Sequence, residues 1–200
     1  MIISEKKSSE RKFFKNLRNK SSSIEMRNVE INVKKYVDSI FSKDLKKKYI
    51  GIYWPLKNEV DLRSLGDEYL LALPRCEKYK KLSFCLWDEK QLSKDSNGIP
   101  APDSSNKLSH DEISMIFIPC LSVDKNLIRL GYGGGYFDRL REDKKWRAIP
   151  CIGILTSNCV SNKLLTRADW DIPLSGFITE KEILVSVSYT HLTLPTIYSV

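Results

Sequence analysis

Apolar residues recur at helical spacing twice near the start of the chain and then collect into short runs separated by polar segments. From about Ser4 to Lys20 the spacing predicts a helix with Phe14 and Leu17 on its apolar side. Lys7, Arg11 and Arg18, at i, i+4 and i+11, fall close to one face of it. Ser22-Ser23-Ile24-Glu25 has capping-box spacing for a second helix, whose core stripe is Val29, Val33, Tyr36, Val37 and Ile40. Strands are predicted over Tyr49–Trp54, Leu70–Leu73, Leu82–Trp87, Ile113–Pro119, Ile149–Leu155 and Gly176–Ile178. Helices are predicted over Leu62–Tyr69, Tyr136–Glu142 and Asn158–Leu165. Residues 88–109, rich in Ser, Asp, Asn and Pro, read as a long loop. This alternation implies an α/β fold: one three-layer domain, a mostly parallel sheet with helices on both faces. Ligands of such sheets bind beyond the carboxyl ends of the strands.

At that level of the chain stands Arg129-Leu130-Gly131-Tyr132-Gly133-Gly134-Gly135-Tyr136-Phe137-Asp138-Arg139, with four of the nine glycines in five positions. A glycine cluster lets backbone crowd a ligand and aim its N–H groups at one spot, the geometry that holds phosphate oxygens. Arg129 and Arg139 flank it with positive charge. Asp138 offers the hard oxygen that Mg²⁺ takes.

Composition narrows the classes. Two hundred residues suit one domain of ordinary size. No run approaches the ~20 apolar residues of a membrane span, and Met1–Lys7 lacks the order of a signal peptide. The five cysteines, 76, 85, 120, 151 and 159, never form a C-x-x-C pair, so buried thiols in a reducing cytoplasm are expected. Net charge is +8, and the first twenty residues hold seven Lys/Arg against two Glu. A polyanion partner would fit that charge, as would a nucleotide. The aromatics lie in apolar runs rather than alternating with basic residues, which argues against a nucleic-acid stacking platform.

The segment Pro119–Leu140, P-C-L-S-V-D-K-N-L-I-R-L-G-Y-G-G-G-Y-F-D-R-L, resembles the signature of the 5-formyltetrahydrofolate cyclo-ligase (5,10-methenyltetrahydrofolate synthetase) family. Other stretches are similar to the family in the same order: Ile50–Asp61 to its first strand and E-[VI]-D turn, Leu73-Pro74-Arg75 to the end of its second strand, Gly98–Pro102 to its G-I-P-x-P loop, and Trp170–Leu174 through Thr179 to its D-[IV]-P-L segment and last strand. Cys120 stands where the family usually has glycine, and Ser175 where aspartate is common.

The resemblance implies a Rossmann-like fold of the NagB/RpiA/CoA-transferase type. It implies a cytoplasmic, Mg²⁺- and ATP-dependent closure of 5-formyltetrahydrofolate to 5,10-methenyltetrahydrofolate in one-carbon metabolism. The implied partners are that folate and ATP, with no nucleic acid and no membrane, and the chain is expected to act as a monomer. Lys7 and Arg11 match the spacing of the family's N-terminal phosphate-binding helix. A Phe14/Arg18 register, which lacks the lysine, is the alternative to the preferred Lys7/Arg11. Arg129 would be the catalytic phosphate clamp, or else pair with a carboxylate of its own loop. Nucleotide contacts would run from Arg129 through Leu130, Gly131, Tyr132, Gly133, Gly134, Gly135, Tyr136 and Phe137. Folate contacts would come from Trp54, Glu59, Tyr132, Gly133, Gly134, Gly135 and Tyr136, with Glu59 accepting hydrogen bonds from the pterin N–H edge. Packing is the other role open to the two tyrosines, and a turn the other role open to Glu59. Asp138 and Asp171 are the implied Mg²⁺ ligands; Asp171 also suits a capping aspartate.

The last residues break the pattern. Val187–Thr196 carries no charge in a chain that is 29% charged, and it resembles the conceptual translation of a sequencing-library adapter. The expectation is a domain over residues 1–186 and a non-native tail over 187–200, a genuine C-terminal strand being the alternative.

Overall fold

Ser22 and Glu25 close the reciprocal cap that their spacing predicts: Ser22 N–H donates to Glu25 Oε2 at 2.7 Å, and Glu25 N–H donates to Ser22 Oγ at 3.2 Å. This break separates α1 (Ile3–Arg18) from α2 (Ser23–Ile40) in the computed structural model, which describes residues 3–40, 47–88, 92–185 and 198–199. There follow β1 (Tyr49–Gly51), β2 (Leu71–Cys76), β3 (Leu82–Trp87), β4 (Ser93–Lys94), β5 (Pro100–Ala101), β6 (Ile113–Pro119), β7 (Ser122–Asp124) and β8 (Arg129–Leu130). The remainder is α3 (Tyr136–Leu140), α4 (Lys144–Arg147), β9 (Cys151–Ile154), β10 (Val160–Ser161), β11 (Gly176–Ile178), β12 (Glu182–Val185) and β13 (Tyr198–Ser199).

The main sheet runs β13-β12-β11-β9-β6-β1-β2-β3. Its centre, from β11 to β2, is parallel, with Ile50 beside Leu71 and Met115, and Gly153 beside Ile118 and Phe177. The flanks β3, β12 and β13 are antiparallel. Both faces are covered, which explains why β6 is buried along its whole length rather than alternating. On one face Met115 and Phe117 pack with Ile50, Leu73 and the α2 stripe of Val29, Val33 and Val37. On the other, Ile116 and Ile118 pack with Phe84, Cys151 and Phe177, under α3 and α4. Trp146 of α4 stacks on Phe84 with ring centroids 6.0 Å apart. The expected three-layer α/β domain is therefore observed.

The first strand, expected over Tyr49–Trp54, ends at Gly51, and three further expectations change. The stretch Leu62–Tyr69 holds only a 3-10 turn, Arg63–Asp67, with Gly66 inside it; Leu62, Leu65 and Tyr69 still reach the core. No helix forms over Asn158–Leu165. A 3-10 turn at Ser157–Cys159 leads into β10, which pairs with β7, and the buried Asp124 carboxylate accepts the Leu165 N–H at 2.9 Å. Those tertiary bonds override a weak helical pattern. Residues 92–109 are organised by Asp95, whose carboxylate accepts the N–H groups of Asn97 (2.8 Å), Ile99 (3.0 Å) and Cys76 (2.9 Å) and ties the β4–β5 hairpin to β2. Of the expected tail, residues 187–197 and 200 lie outside the described residues, while β13 pairs with β12.

From β1 the chain steps to β2 on one side, and β6 then lands on the other side of β1. The switch point therefore lies between β1 and β6, where an open α/β sheet leaves a crevice at its carboxyl edge.

Candidate functional site

Asp124 builds the approach to the site. Its Oδ1 accepts the N–H groups of Asn126 (2.9 Å) and Ile128 (3.0 Å), closing a tight turn in which Leu127 takes φ 59°. The β7–β8 hairpin so formed delivers Arg129 and Leu130 to the carboxyl edge. Leu130 is buried against Phe14, Leu121 and Leu165, which docks α1 beside the glycine loop. Gly133 and Gly135 take φ of 96° and 70°, a left-handed backbone that other residues avoid. The loop is braced by side chains: Arg11 Nε donates to Gly131 O at 2.9 Å, and Arg139 Nη1 to Gly134 O at 3.0 Å. A Cβ on Gly133 would stand 3.3 Å from the Arg11 guanidinium carbon.

Opposite lies the turn after β1. The Tyr53 hydroxyl donates to Val60 O at 2.8 Å, and the Leu56 N–H donates to Glu59 Oε2 at 2.8 Å across a turn in which Asn58 has φ 63°. Asn58 Nδ2 donates to Asn19 Oδ1 at 2.9 Å, fastening the turn to the chain just beyond α1. The Arg63 guanidinium lies 4.5 Å from the Trp54 ring centroid.

Between these two walls opens a cleft of about 300 Å³, lined by Lys7, Arg11, Trp54, Glu59, Asp171 and the whole run Arg129–Asp138, but not by Phe14 or Arg18 of the alternative register. Three ion pairs give this cleft its electrostatic form. Lys7 pairs with Asp171, whose Oδ2 also accepts the Ala168 N–H at 2.7 Å. Arg129 Nη2 pairs with Asp138 Oδ1 at 3.3 Å, while its Nη1 reaches Pro119 O at 3.4 Å. Arg18 Nη1 pairs with Glu59 Oε1 at 3.5 Å, and the Tyr132 hydroxyl donates to the same oxygen. Burial opposes the charge on Arg129, but Asp138 and the sulfurs of Cys120 and Cys151 beside it outweigh that effect and hold its pKa above the usual arginine value. Burial pushes the Glu59 carboxyl up, against the pull of the Leu56 N–H and of Arg18.

The thiols are unreactive: burial pushes Cys120 up to about 12, and burial with the adjacent Asp95 carboxylate does the same to Cys76. All five cysteines are free; Cys85, Cys120, Cys151 and Cys159 are buried as expected, while Cys76 is half-buried. Cys120, in the position where glycine is usual, packs its sulfur 2.9 Å from where a Cβ on Gly153 would stand. Ser175 Oγ accepts the Cys151 N–H at 3.0 Å. Among the described residues no three His, Cys, Asp or Glu side chains gather as a metal cage, and no helix is long and apolar enough to cross a membrane.

Reading the sequence missed several contributors. Asn97 Oδ1 accepts the Tyr136 hydroxyl at 3.0 Å, bringing the 92–109 segment onto the cleft. Its signal was the Asp95-Ser96-Asn97-Gly98 turn chemistry. Trp170, 64% exposed, lines the rim next to Asp171. Arg18 stands behind the cleft, paired with Glu59, while Phe14, its companion in the alternative helix register, is buried against Leu121 and Leu130.

Residues 3–180 match the model of the 5-formyltetrahydrofolate cyclo-ligase family. The chain belongs to this family. A family member from Haemophilus influenzae, named 5-formyltetrahydrofolate cyclo-ligase, is 26% identical over 137 residues, which cover 64% of this chain and 73% of that one. Another with the same name, from Mycoplasma pneumoniae, is 30% identical over 135 residues, covering 67% and 74%. The NMR structure of Aquifex aeolicus 5,10-methenyltetrahydrofolate synthetase superposes with a TM-score of 0.74 at 28% identity, covering 94% of this chain and 96% of that one. The cyclo-ligase resemblance drawn from Pro119–Leu140 is thus borne out, and with it the assignment as a ligase.

Proposed function

We propose that this chain closes 5-formyltetrahydrofolate to 5,10-methenyltetrahydrofolate at the expense of ATP, in the cytoplasm and as a monomer. The observation that carries this reading is the convergence, in a chain of this family, of a glycine loop, buried cations and a buried carboxylate on one cleft at the sheet's switch point.

The formyl oxygen of an amide is a poor leaving group. Its attack on the γ-phosphorus of ATP forms a C–O–P bond and breaks the bond to ADP, leaving an activated imidate phosphate. The neighbouring folate amine then attacks that carbon and loses its proton, and the C–O bond breaks to expel phosphate. This sequence asks for positioning and charge neutralisation rather than a protein nucleophile, in keeping with the unreactive thiols. Arg129 acts as the clamp on the transferring group, because a desolvated cation is worth most where charge develops. Lys7, Arg11 and the loop from Leu130 to Phe137 hold the nucleotide. Trp54, Glu59, Tyr132 and Tyr136 orient the folate with glycines 133 to 135.

Asp138 and Asp171 would hold Mg²⁺. Two carboxylates, with no fuller cage among the described residues, fit an ion that keeps waters and takes the rest of its ligands from substrate phosphates. Bound there, the ion would neutralise phosphate charge. In this arrangement Lys7 and Arg129 occupy the two carboxylates.

The test is a spectrophotometric assay of methenyl-folate formation with and without ATP. Product that depends on ATP and on Mg²⁺ is expected. No ATP-dependent product from folded protein would overturn the reading.

A further inference from the structure

Arg18 does not line the cleft, yet it is one of its most costly residues. Its side chain is 10% exposed, its contact with Glu59 Oε1 is long at 3.5 Å, and its Nε is buried without a hydrogen-bond partner among the described residues. Its guanidinium carbon lies 5.1 Å from the Tyr132 ring centroid. A buried cation held this loosely is a poor stabiliser of a fold, because desolvation offsets much of the attraction. Glu59, in front of it, is more enclosed still, with a side chain 3% exposed.

We infer that Arg18 is a positioning residue for the folate half of the site, keeping Glu59 ionised and held against the cleft so that its oxygens accept the pterin N–H edge. The inference rests on the proposed folate role of Glu59. The groups around Glu59 leave this task to Arg18. The Tyr132 hydroxyl donates from the glycine loop. Tyr53 faces it from the end of β1, and burial pushes that phenol well above its usual value, so it stays neutral. Cys120 follows β6 and is also neutral, its thiol pushed up to about 12. Asp61, on the same turn, is held by Arg63. Among the described residues Arg18 is the cation whose charge favours ionised Glu59. A protonated Glu59 would lose acceptor capacity on one oxygen and present an O–H to a donor edge.

The location of Arg18 adds a coupling. It follows Arg11 by two helical turns, about 10 Å along α1, so one helix serves the nucleotide side through Lys7 and Arg11 and the folate side through Arg18.

The test measures kcat and KM for 5-formyltetrahydrofolate across pH in the full chain. Arg18→Met and Arg18→Gln should each raise KM about tenfold near neutral pH, the scale of a lost charged hydrogen bond, with kcat within about twofold. In both, the acid-side rise in KM should begin at a higher pH than in the parent. Arg18→Lys, which restores a cation, should return the profile most of the way. In a Glu59→Gln background Arg18→Met should add little further loss. A parental pH profile in either neutral variant would overturn the inference while leaving the folate role of Glu59 standing. So would full additivity with Glu59→Gln. An unchanged KM in Glu59→Gln alone would overturn the folate role itself, and the positioning role with it.

Discussion

The cleft and the outer surface hold ion pairs of the same chemistry in opposite surroundings. At the cleft, Lys7–Asp171 and Arg18–Glu59 have side chains 3 to 12% exposed, and Arg129 is 9% exposed beside Asp138. On the surface, Lys34–Glu68 leaves both partners about half exposed, and Arg63–Asp61 is nearly as open. Water screens the outer pairs, which contribute little to stability. The inner pairs lose hydration that their attraction barely restores, so stability alone is a weak reason for them. What desolvation gives them is leverage on a ligand: a cation stripped of water acts strongly on phosphate charge. In this molecule desolvated charge is gathered on the cleft, and screened charge lies on the outer surface.

Arg129→Ala is the sharpest way to break that distinction. Turnover should fall roughly a hundredfold or more, by more than any loss of folding accounts for, as checked by steady-state kinetics beside thermal melts. Unchanged turnover in a folded variant would put Arg129 in the same class as the surface pairs. Asp138→Asn comes next. The Mg²⁺ concentration for half-maximal rate should rise about tenfold or more. Because the change also leaves buried Arg129 without its counter-charge, stability should drop by about 1–3 kcal/mol. Asp171→Asn, in the same Mg²⁺ titration, should show a weaker shift.

Lys7→Ala should raise the apparent KM for ATP about tenfold, the worth of one charged hydrogen bond to a phosphate. Equal ATP dependence in variant and parent would return Lys7 to a structural role. Glu59→Gln should have a smaller effect, on the stability profile. Glu59 has a folded pKa above its ordinary 4.5, so the folded state binds the proton more tightly than the unfolded chain does. Stability from this group is present below that ordinary value and is lost as pH rises through the folded pKa. The glutamine variant should lack that decline with pH and, because buried Arg18 loses its counter-charge, should melt somewhat below the parent near neutral pH, while binding folate less well. Lys34→Ala is the outer control: turnover and melting temperature should not move measurably. A loss comparable to that of Lys7→Ala would erase the contrast between the two regions.

Local chemistry carried far in this chain. The α2 stripe, the Ser22–Glu25 cap, the β6 run and the glycine loop depend on neighbours within a few residues, so periodicity and turn chemistry placed them correctly. That Arg129–Asp138, Lys7, Arg11 and Glu59 line one cleft was also legible, the glycine run from its own residues and the others through the resemblance. Where a partner distant in sequence decides the outcome, the reading failed. Asn158–Leu165 looks helical until Asp124 and β7 capture it as an extended segment. Asn97 looks like part of a polar loop until Asp95 folds it onto Tyr136.

Sequence by itself thus determined the layered α/β class, the family and the identity of the groups along the cleft, because each rests on residue type and short-range spacing. Only the tertiary structure decided which cation faces which carboxylate. Lys7 and Asp171 are 164 positions apart, and Arg18 and Glu59 are 41 apart. Docking α1 on Leu130 brings the helix to the glycine loop, and the turn after β1 brings Glu59 to the helix. Burial then sets how strongly those charges act, and burial is a property of the packed molecule that no local pattern contains.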